Sequence, residues 1–229
     1  YVVLPFATSS DSVPNQRSTG ILGMMWIGNA FGTTKKGALI KSAVGAALEK
    51  LLDDMAEPDG GLLEQSFNYH EPVLQLFALR ASMNCSLVSN DATSLQQCEW
   101  LATRCRAALQ RNQLLQSSLL SPTGNQPQVG NNADAGCSTF DVKAQKQLCG
   151  QQPASSLPTG LNMTSVAYPW TGYYVQRDGW ERDSLWLFFY PVVHPKLQIP
   201  RGHINAAANS IQVTAYGRQL FVSGGAPSY

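Results

Sequence analysis

In the first half of the chain the apolar positions recur at helical spacing. Over 36–55 they form a single apolar stripe, which predicts an amphipathic helix. The stripe consists of Leu39, Ile40, Val44, Ala47, Leu48, Leu51, Leu52 and Met55. Pro-Asp-Gly-Gly at 58–61 predicts where that helix ends. We expect a second helix from about Pro72, because proline suits a first helical turn, and a third over 92–115.

The pattern changes after residue 116. The segment 117–160 is rich in Ser, Pro, Gly, Asn and Gln, which predicts long loops. Beyond it, aromatic and β-branched runs predict strands, the last two joined as a hairpin; they lie at 173–175, 185–190, 211–216 and 219–222. Helices followed by antiparallel strands form an α+β order. We therefore predict two domains, a helical portion at 1–155 and an antiparallel β portion at 156–229.

Composition narrows the classes of partner. The 229 residues carry a formal net charge of +1 and no run of like charges, which argues against nucleic-acid binding. No stretch of about 20 apolar residues is present, so we expect no membrane insertion. The chain begins at Tyr1 and no signal segment follows, so we expect cut ends. The five cysteines include no Cys-x-x-Cys pair, and buried thiols or one or two disulfides both stay open.

Three ordered stretches resemble motifs of the heparinase II/III-like polysaccharide lyases. The first joins 58–61 (PDGG) to 64–70 (EQSFNYH), similar to the family's "DGG, EQS, YH" segment. The second is PTG at 122–124, followed by Pro127 and Gly-Asn at 130–131. The third begins with YPWTGYYVQRDGW at 168–180 and continues through Gly-His at 202–203, AYGRQL at 215–220, Gly-Gly at 224–225 and Tyr229. The ordered series over most of the chain is what makes the resemblance specific.

The resemblance implies an architecture and a reaction. The chain would contain the C-terminal part of an (α/α) toroid followed by the start of an antiparallel β-sandwich, with the active site between them. The implied activity is β-elimination on a uronate-containing acidic polysaccharide, such as alginate or a glycosaminoglycan, without a cofactor. The implied location is secreted, periplasmic or in a lysosome-like endomembrane compartment. The oligomeric state stays open.

The same resemblance assigns catalytic roles to three residues. A lyase must neutralise the uronate carboxylate, remove the C5 proton and protonate the leaving oxygen at C4. Asn15 resembles the family's Asn or His that contacts the carboxylate, and His203 resembles the first histidine of its "GHxH" segment. Tyr69 matches the general acid or base. A capping Asn15, an interior Tyr69 and a surface His203 are the structural alternatives.

Four further residues are candidates for binding substrate. Gln16 and His70 adjoin the catalytic candidates, although a hydrogen-bonded structural histidine is an equal alternative for His70. Arg201 supplies local positive charge, with a solvated arginine as its alternative. Trp170 has an aromatic face that suits a sugar ring, but we expect burial to be its more common fate.

The sequence departs from the family at the zinc site. Many members bind zinc through a second histidine and an aspartate, where this chain has Asn205 and Ser223. Neither side chain is a usual zinc ligand, so we expect no metal here. This departure favours one alternative function, an inactive glycan-binding relative. A second alternative is a glycoside hydrolase that uses the paired carboxylates of Asp59 and Glu64.

Overall fold

The computed structural model describes residues 14–63, 92–129, 165–191 and 209–222. Within them lie three helices and five strands. The helices are α1 (Pro14–Ala30), α2 (Lys35–Met55) and α3 (Ala92–Leu119). The strands are β1 (Ser165–Tyr168), β2 (Tyr173–Arg177), β3 (Trp186–Tyr190), β4 (Ser210–Ala215) and β5 (Arg218–Phe221). The predicted α+β order, with helices before strands, is confirmed.

Helices α1 and α2 pack against each other along the predicted apolar stripe. Thr34 caps α2, because its side chain accepts a hydrogen bond from the backbone N–H of Gly37 at 3.0 Å. The stripe is buried from the middle of the helix to its end, at Val44, Ala47, Leu48, Leu51, Leu52 and Met55. Leu39 was predicted to belong to the stripe but is 71% exposed, since it lies in the first turns of α2. Ile21 and Met24 of α1 complete this core.

Helix α3 belongs to two cores. Its first half packs on α1 and α2 through Leu101, Ala102, Cys105 and Ala108. Its last turns pack on the sheet through Leu115 and Leu119. The helix therefore runs four residues beyond the predicted end. The serines of its last turn are tolerated because each hydroxyl donates to a carbonyl of the preceding turn, Ser117 to Gln113 and Ser118 to Leu115.

The strands form one antiparallel sheet in the order β1-β2-β3-β4-β5. Alternate side chains of β2 and β3 face the core, as the two-residue period of a strand requires. The buried face includes Tyr173, Val175, Trp186, Phe188 and Tyr190. Strand β1 was not predicted. It has only four residues, and only four more separate it from the predicted loop segment that ends at residue 160. The four residues of β5 are all exposed.

Several predictions fall outside the described residues. These are the helix from Pro72, most of the predicted loop segment 117–160 and the domain boundary near 156. The start of that segment was wrong, because 117–119 continue α3. Across the described residues, the helices lack the combination of length and apolarity that crossing a bilayer requires.

Candidate functional site

A tight turn after α2 carries the first sequence motif. Ala56 and Leu62 form a β-bridge, and the N–H of Glu57 donates to the carbonyl of Gly61 at 2.8 Å. Gly60 has φ +99°, a conformation that favours glycine. Its carbonyl accepts a hydrogen bond at 2.8 Å from the side chain of Asn112, a buried residue of α3. The turn is therefore fixed against α3 as well as against the end of α2.

Asp59 joins this turn to the hairpin between β1 and β2. One carboxylate oxygen accepts the backbone N–H groups of Trp170 and Thr171 at 2.8 and 3.0 Å. The other accepts the Thr171 hydroxyl at 2.5 Å. Gly61 allows the close approach, since a Cβ there would lie 1.9 Å from Thr171 Oγ1. The bonded residues are 111 and 112 positions apart in the sequence, so two distant motifs meet in one contact.

A second set of contacts joins the end of α3 to the sheet. Ser118 Oγ lies 2.6 Å from the Tyr168 hydroxyl, and the guanidinium of Arg177 donates to the Ser118 carbonyl. Burial raises the pKa of the Tyr168 phenol, a shift that the hydrogen bond with Ser118 opposes. Burial also lowers the pKa of Arg177 to about 10. Its guanidinium lies 3.6 Å from the Trp180 ring centroid, a cation–π geometry.

The loop that carries the second motif joins the same junction. The backbone N–H of Gln128 donates to the side-chain oxygen of Gln212 in β4 at 2.9 Å. The Gln212 amide in turn donates to the Gln128 carbonyl at 2.9 Å. Parts of all three motif stretches therefore converge where α3 meets the sheet. Their shared role in the described residues is to hold helices and sheet together.

An open cleft of about 470 Å³ lies beside the Asp59 contact. Its apolar lining comes from Leu52, Ala56, Pro58, Ala107 and Ala108, and its charged lining from Asp53, Glu57, Arg104 and Arg111. Trp170 also lines the cleft and is 51% exposed, so the expectation that it is buried was wrong. The physical reason is that Asp59 binds the backbone of the hairpin tip, which anchors Trp170 without requiring its ring in the core.

The structure describes three of the seven predicted site residues, namely Trp170, Gln16 and the backbone of Asn15. Asn15 and Gln16 lie in the first turn of α1, with Gln16 exposed and only the backbone of Asn15 described. Their neighbour Arg17 is 1% exposed and forms an ion pair with Asp54 of α2 at 3.1 Å. This partly buried pair anchors the start of α1, and sequence reasoning did not find it.

The remaining predicted site residues lie outside the described residues: Tyr69, His70, Arg201 and His203. Among the described residues, no group of three or more His, Cys, Asp or Glu side chains converges as metal ligands would. Asn205 and Ser223 also fall outside this part of the chain. Arg111 was missed as well, although its spacing from Arg104 places both on one face of α3.

Sequence comparison alone gives no family for this chain. No family model matches it, and no match was found among curated proteins. The comparison with solved structures is informative because it covers most of the chain.

The fold is similar to part of the solved structures of heparinase III and of a heparan sulfate lyase. A heparinase III gene product with methylated lysines matches with a TM-score of 0.62 and 15% identity, over 94% of this chain and 33% of that one. A crystal structure of heparinase III matches with a TM-score of 0.62 and 13% identity, over 95% of this chain and 35% of that one. The heparan sulfate lyase HepC from Pedobacter heparinus matches with a TM-score of 0.53 and 18% identity, over 92% of this chain and 32% of that one. The chain thus spans about a third of the length of these structures. The heparinase-like resemblance of the motifs is confirmed at the level of the fold.

Proposed function

We propose that this chain is part of a polysaccharide lyase that cleaves a uronate-containing polysaccharide by β-elimination. The observation that carries the proposal is the junction between α3 and the sheet. Its motifs were recognised in the sequence as heparinase-like, and the fold that they hold together resembles lyases of heparin and heparan sulfate. The fold alone does not define a reaction, so the motif matches supply the chemistry.

The proposal extends to the architecture. Residues 1–155 would form the last helices of an (α/α) toroid, and residues 156–229 the first strands of a β-sandwich. The pairing of α1 with α2 and the five-stranded antiparallel sheet both fit this division. The substrate would lie in the cleft between the two domains, in a secreted, periplasmic or lysosome-like compartment.

The proposed mechanism uses side chains alone. Asn15 and His203 would donate hydrogen bonds to the uronate carboxylate, which stabilises the negative charge that develops as the C5 proton leaves. Tyr69 would act as the general base or acid. The bond between C4 and its oxygen breaks, a double bond forms between C4 and C5, and a proton joins the leaving oxygen. Gln16, His70, Arg201 and Trp170 would bind the substrate around this centre.

Substitution of the tyrosine tests the assignment. In the full-length protein, Tyr69→Phe removes the proton-transfer group and keeps the ring. Because general acid–base catalysis contributes about 10²–10⁴-fold, we expect kcat to fall by about that factor with the melting temperature unchanged. Tyr216→Phe is the matched control, since Tyr216 is 81% exposed at the turn before β5. Unchanged turnover in Tyr69→Phe would refute its role.

The products distinguish the alternatives. A lyase leaves an unsaturated uronate, which absorbs in the ultraviolet, whereas a hydrolase gives new reducing ends without that absorbance. Hydrolysis would require free carboxylates, and Asp59 already accepts three hydrogen bonds from the β1–β2 hairpin. Binding of an acidic glycan without either product would instead support the inactive glycan-binding alternative.

A further inference from the structure

The turn that contains Asp59 contacts the backbone of two residues that line the cleft. Asp59 binds the backbone of Trp170 and of the residue after it. Gly60 lies against α3 at Arg111, where a Cβ on Gly60 would come within 2.5 Å of the Arg111 carbonyl oxygen. The turn therefore contacts the backbone of both Trp170 and Arg111, and both residues line the cleft.

The two arginines of the cleft differ in their electrostatic surroundings. Arg104 is compensated, because its guanidinium contacts Asp53 and lies 3.7 Å from Glu49. The guanidinium of Arg111 is exposed and makes no hydrogen bond or ion pair within the part of the chain that the structure describes. Glu57 also lines the cleft, but it is only 2% exposed and its carboxylate lies beneath the surface. Arg111 is therefore the arginine of the cleft whose guanidinium no carboxylate of the described residues contacts.

A flat apolar face beside a cation suits one class of ligand. Trp170 is 51% exposed in the cleft, and a tryptophan ring suits the C–H groups of a sugar ring, while the guanidinium of Arg111 has donors that match a carboxylate or sulfate. Ala107, Ala108 and Pro58 also line the cleft, and these small side chains leave room for a ligand. The volume of about 470 Å³ accommodates one or two sugar rings.

We propose that the cleft between Trp170 and Arg111 is a subsite for one acidic sugar residue of a polysaccharide. Trp170 stacks on the ring and Arg111 binds its anionic group. The class of ligand rests on the proposed function, but the subsite itself is a binding site whose occupancy does not require turnover.

Calorimetric titration of the full-length protein with a heparan sulfate tetrasaccharide tests the subsite. Loss of the charge-assisted hydrogen bonds in Arg111→Gln should raise Kd by about tenfold at low ionic strength, and by less at high salt. Trp170→Ala should raise Kd by about fivefold, whereas Trp170→Phe keeps an aromatic face and should retain most of the affinity. Cellotetraose, which is uncharged, should bind more weakly and should not respond to Arg111→Gln.

Matched controls separate a local effect from a general one. Trp26→Ala removes a tryptophan that is 58% exposed on α1, and Arg106→Gln removes an exposed arginine of α3; neither residue lines the cleft. Both should leave Kd within about twofold of the wild type. Melting temperatures should stay unchanged in all variants, because the Trp170 and Arg111 side chains are exposed.

The outcomes also separate this inference from the proposed function. If Trp170→Ala and Arg111→Gln bind like their controls, or if the wild type does not bind the tetrasaccharide, the subsite is refuted, whatever the lyase assay gives. If the two variants weaken binding while the wild type forms no unsaturated product, the subsite stands and the lyase proposal falls. Equal affinity for cellotetraose would refute the acidic specificity.

Discussion

Replacing Asp59 with alanine removes the contact that joins the turn after α2 to the β1–β2 hairpin. From the hairpin the carboxylate accepts three hydrogen bonds, two from the backbone N–H groups of Trp170 and Thr171 and one from the Thr171 hydroxyl. Within the turn it also accepts the Gly61 N–H at 3.5 Å. Thr171 is fully buried, so water cannot replace the acceptor that its N–H and hydroxyl groups lose. We expect Asp59→Ala to destabilise the junction more than an ordinary surface substitution does.

The size of the destabilisation follows from the hydrogen bonds that are lost with the carboxylate. Hydrogen bonds to a charged group contribute about 1.5–3 kcal/mol each, but the three share one half-buried carboxylate and are not additive. We expect a loss of about 3 kcal/mol. Asp59→Asn should lose only about 1 kcal/mol, since its oxygen can still accept from the two N–H groups and its amide can donate to the Thr171 hydroxyl. The free energy of unfolding should be highest for the wild type, lower for Asp59→Asn and lowest for Asp59→Ala.

Urea unfolding of the full-length protein, followed by near-ultraviolet circular dichroism, measures these differences. Asp183→Ala is the matched control, because Asp183 is exposed and its side chain makes no hydrogen bond to the described residues. It should change the free energy of unfolding by no more than about 0.5 kcal/mol. If Asp59→Ala matched this control, or if Asn and Ala were equal, the role of Asp59 as the junction's acceptor would be refuted.

Three further predictions concern the stability of the same cores. Gly61→Ala should destabilise the protein by about 2 kcal/mol or more, because its Cβ would lie 1.9 Å from Thr171 Oγ1. Gly45→Ala, in the interior of α2, has open space around its Cβ and should stabilise by about 0.5–1 kcal/mol. Equal effects of the two substitutions in urea unfolding would contradict this packing. Burial raises the pKa of Cys105 from 9.0 to about 12, so its contribution to stability should be complete below pH 9 and fall as pH rises towards 12. The wild type should lose about 1 kcal/mol more than Cys105→Ala between pH 8 and 10, and parallel pH profiles would refute this. Arg177→Met should lower the melting temperature by several degrees, because the Ser118 carbonyl loses its charged hydrogen-bond donor. A loss of about 1–3 kcal/mol gives a shift of that size in a domain of this length. An unchanged melting curve would show that the hydrogen bond contributes nothing to stability.

The helices and strands were predictable where the side chains alternate at a clear period. The stripe of α2 and the aromatic runs of β2 and β3 place apolar side chains on one face, and those elements lie within a few residues of their predicted bounds. Helix α1 gave no such signal, because its apolar residues surround the axis and three glycines interrupt them. The end of α3 was misjudged since serines at 117 and 118 are typical of loops, and only the preceding carbonyls explain their place in a helix.

The motifs of the candidate site were predictable, but the partners within the site were not. The sequence indicated that 58–61 and 168–180 belong to one family pattern, yet nothing in their spacing shows that Asp59 binds the hairpin at Thr171. Asp59 was considered as a hydrolase carboxylate, and its three hydrogen bonds give it a structural role. Arg17 and Arg111 were missed because burial beside Asp54 and placement beside Trp170 are tertiary properties.

The mass of the products tests the central claim most directly. Full-length protein is incubated with heparan sulfate, alginate, chondroitin sulfate and hyaluronan, and the oligosaccharides are followed by ultraviolet absorbance and mass spectrometry. β-Elimination adds no water, so the account predicts absorbing fragments whose masses sum to that of the intact chain. Fragments that carry one added water for each cut, without absorbance, would show hydrolysis and contradict it.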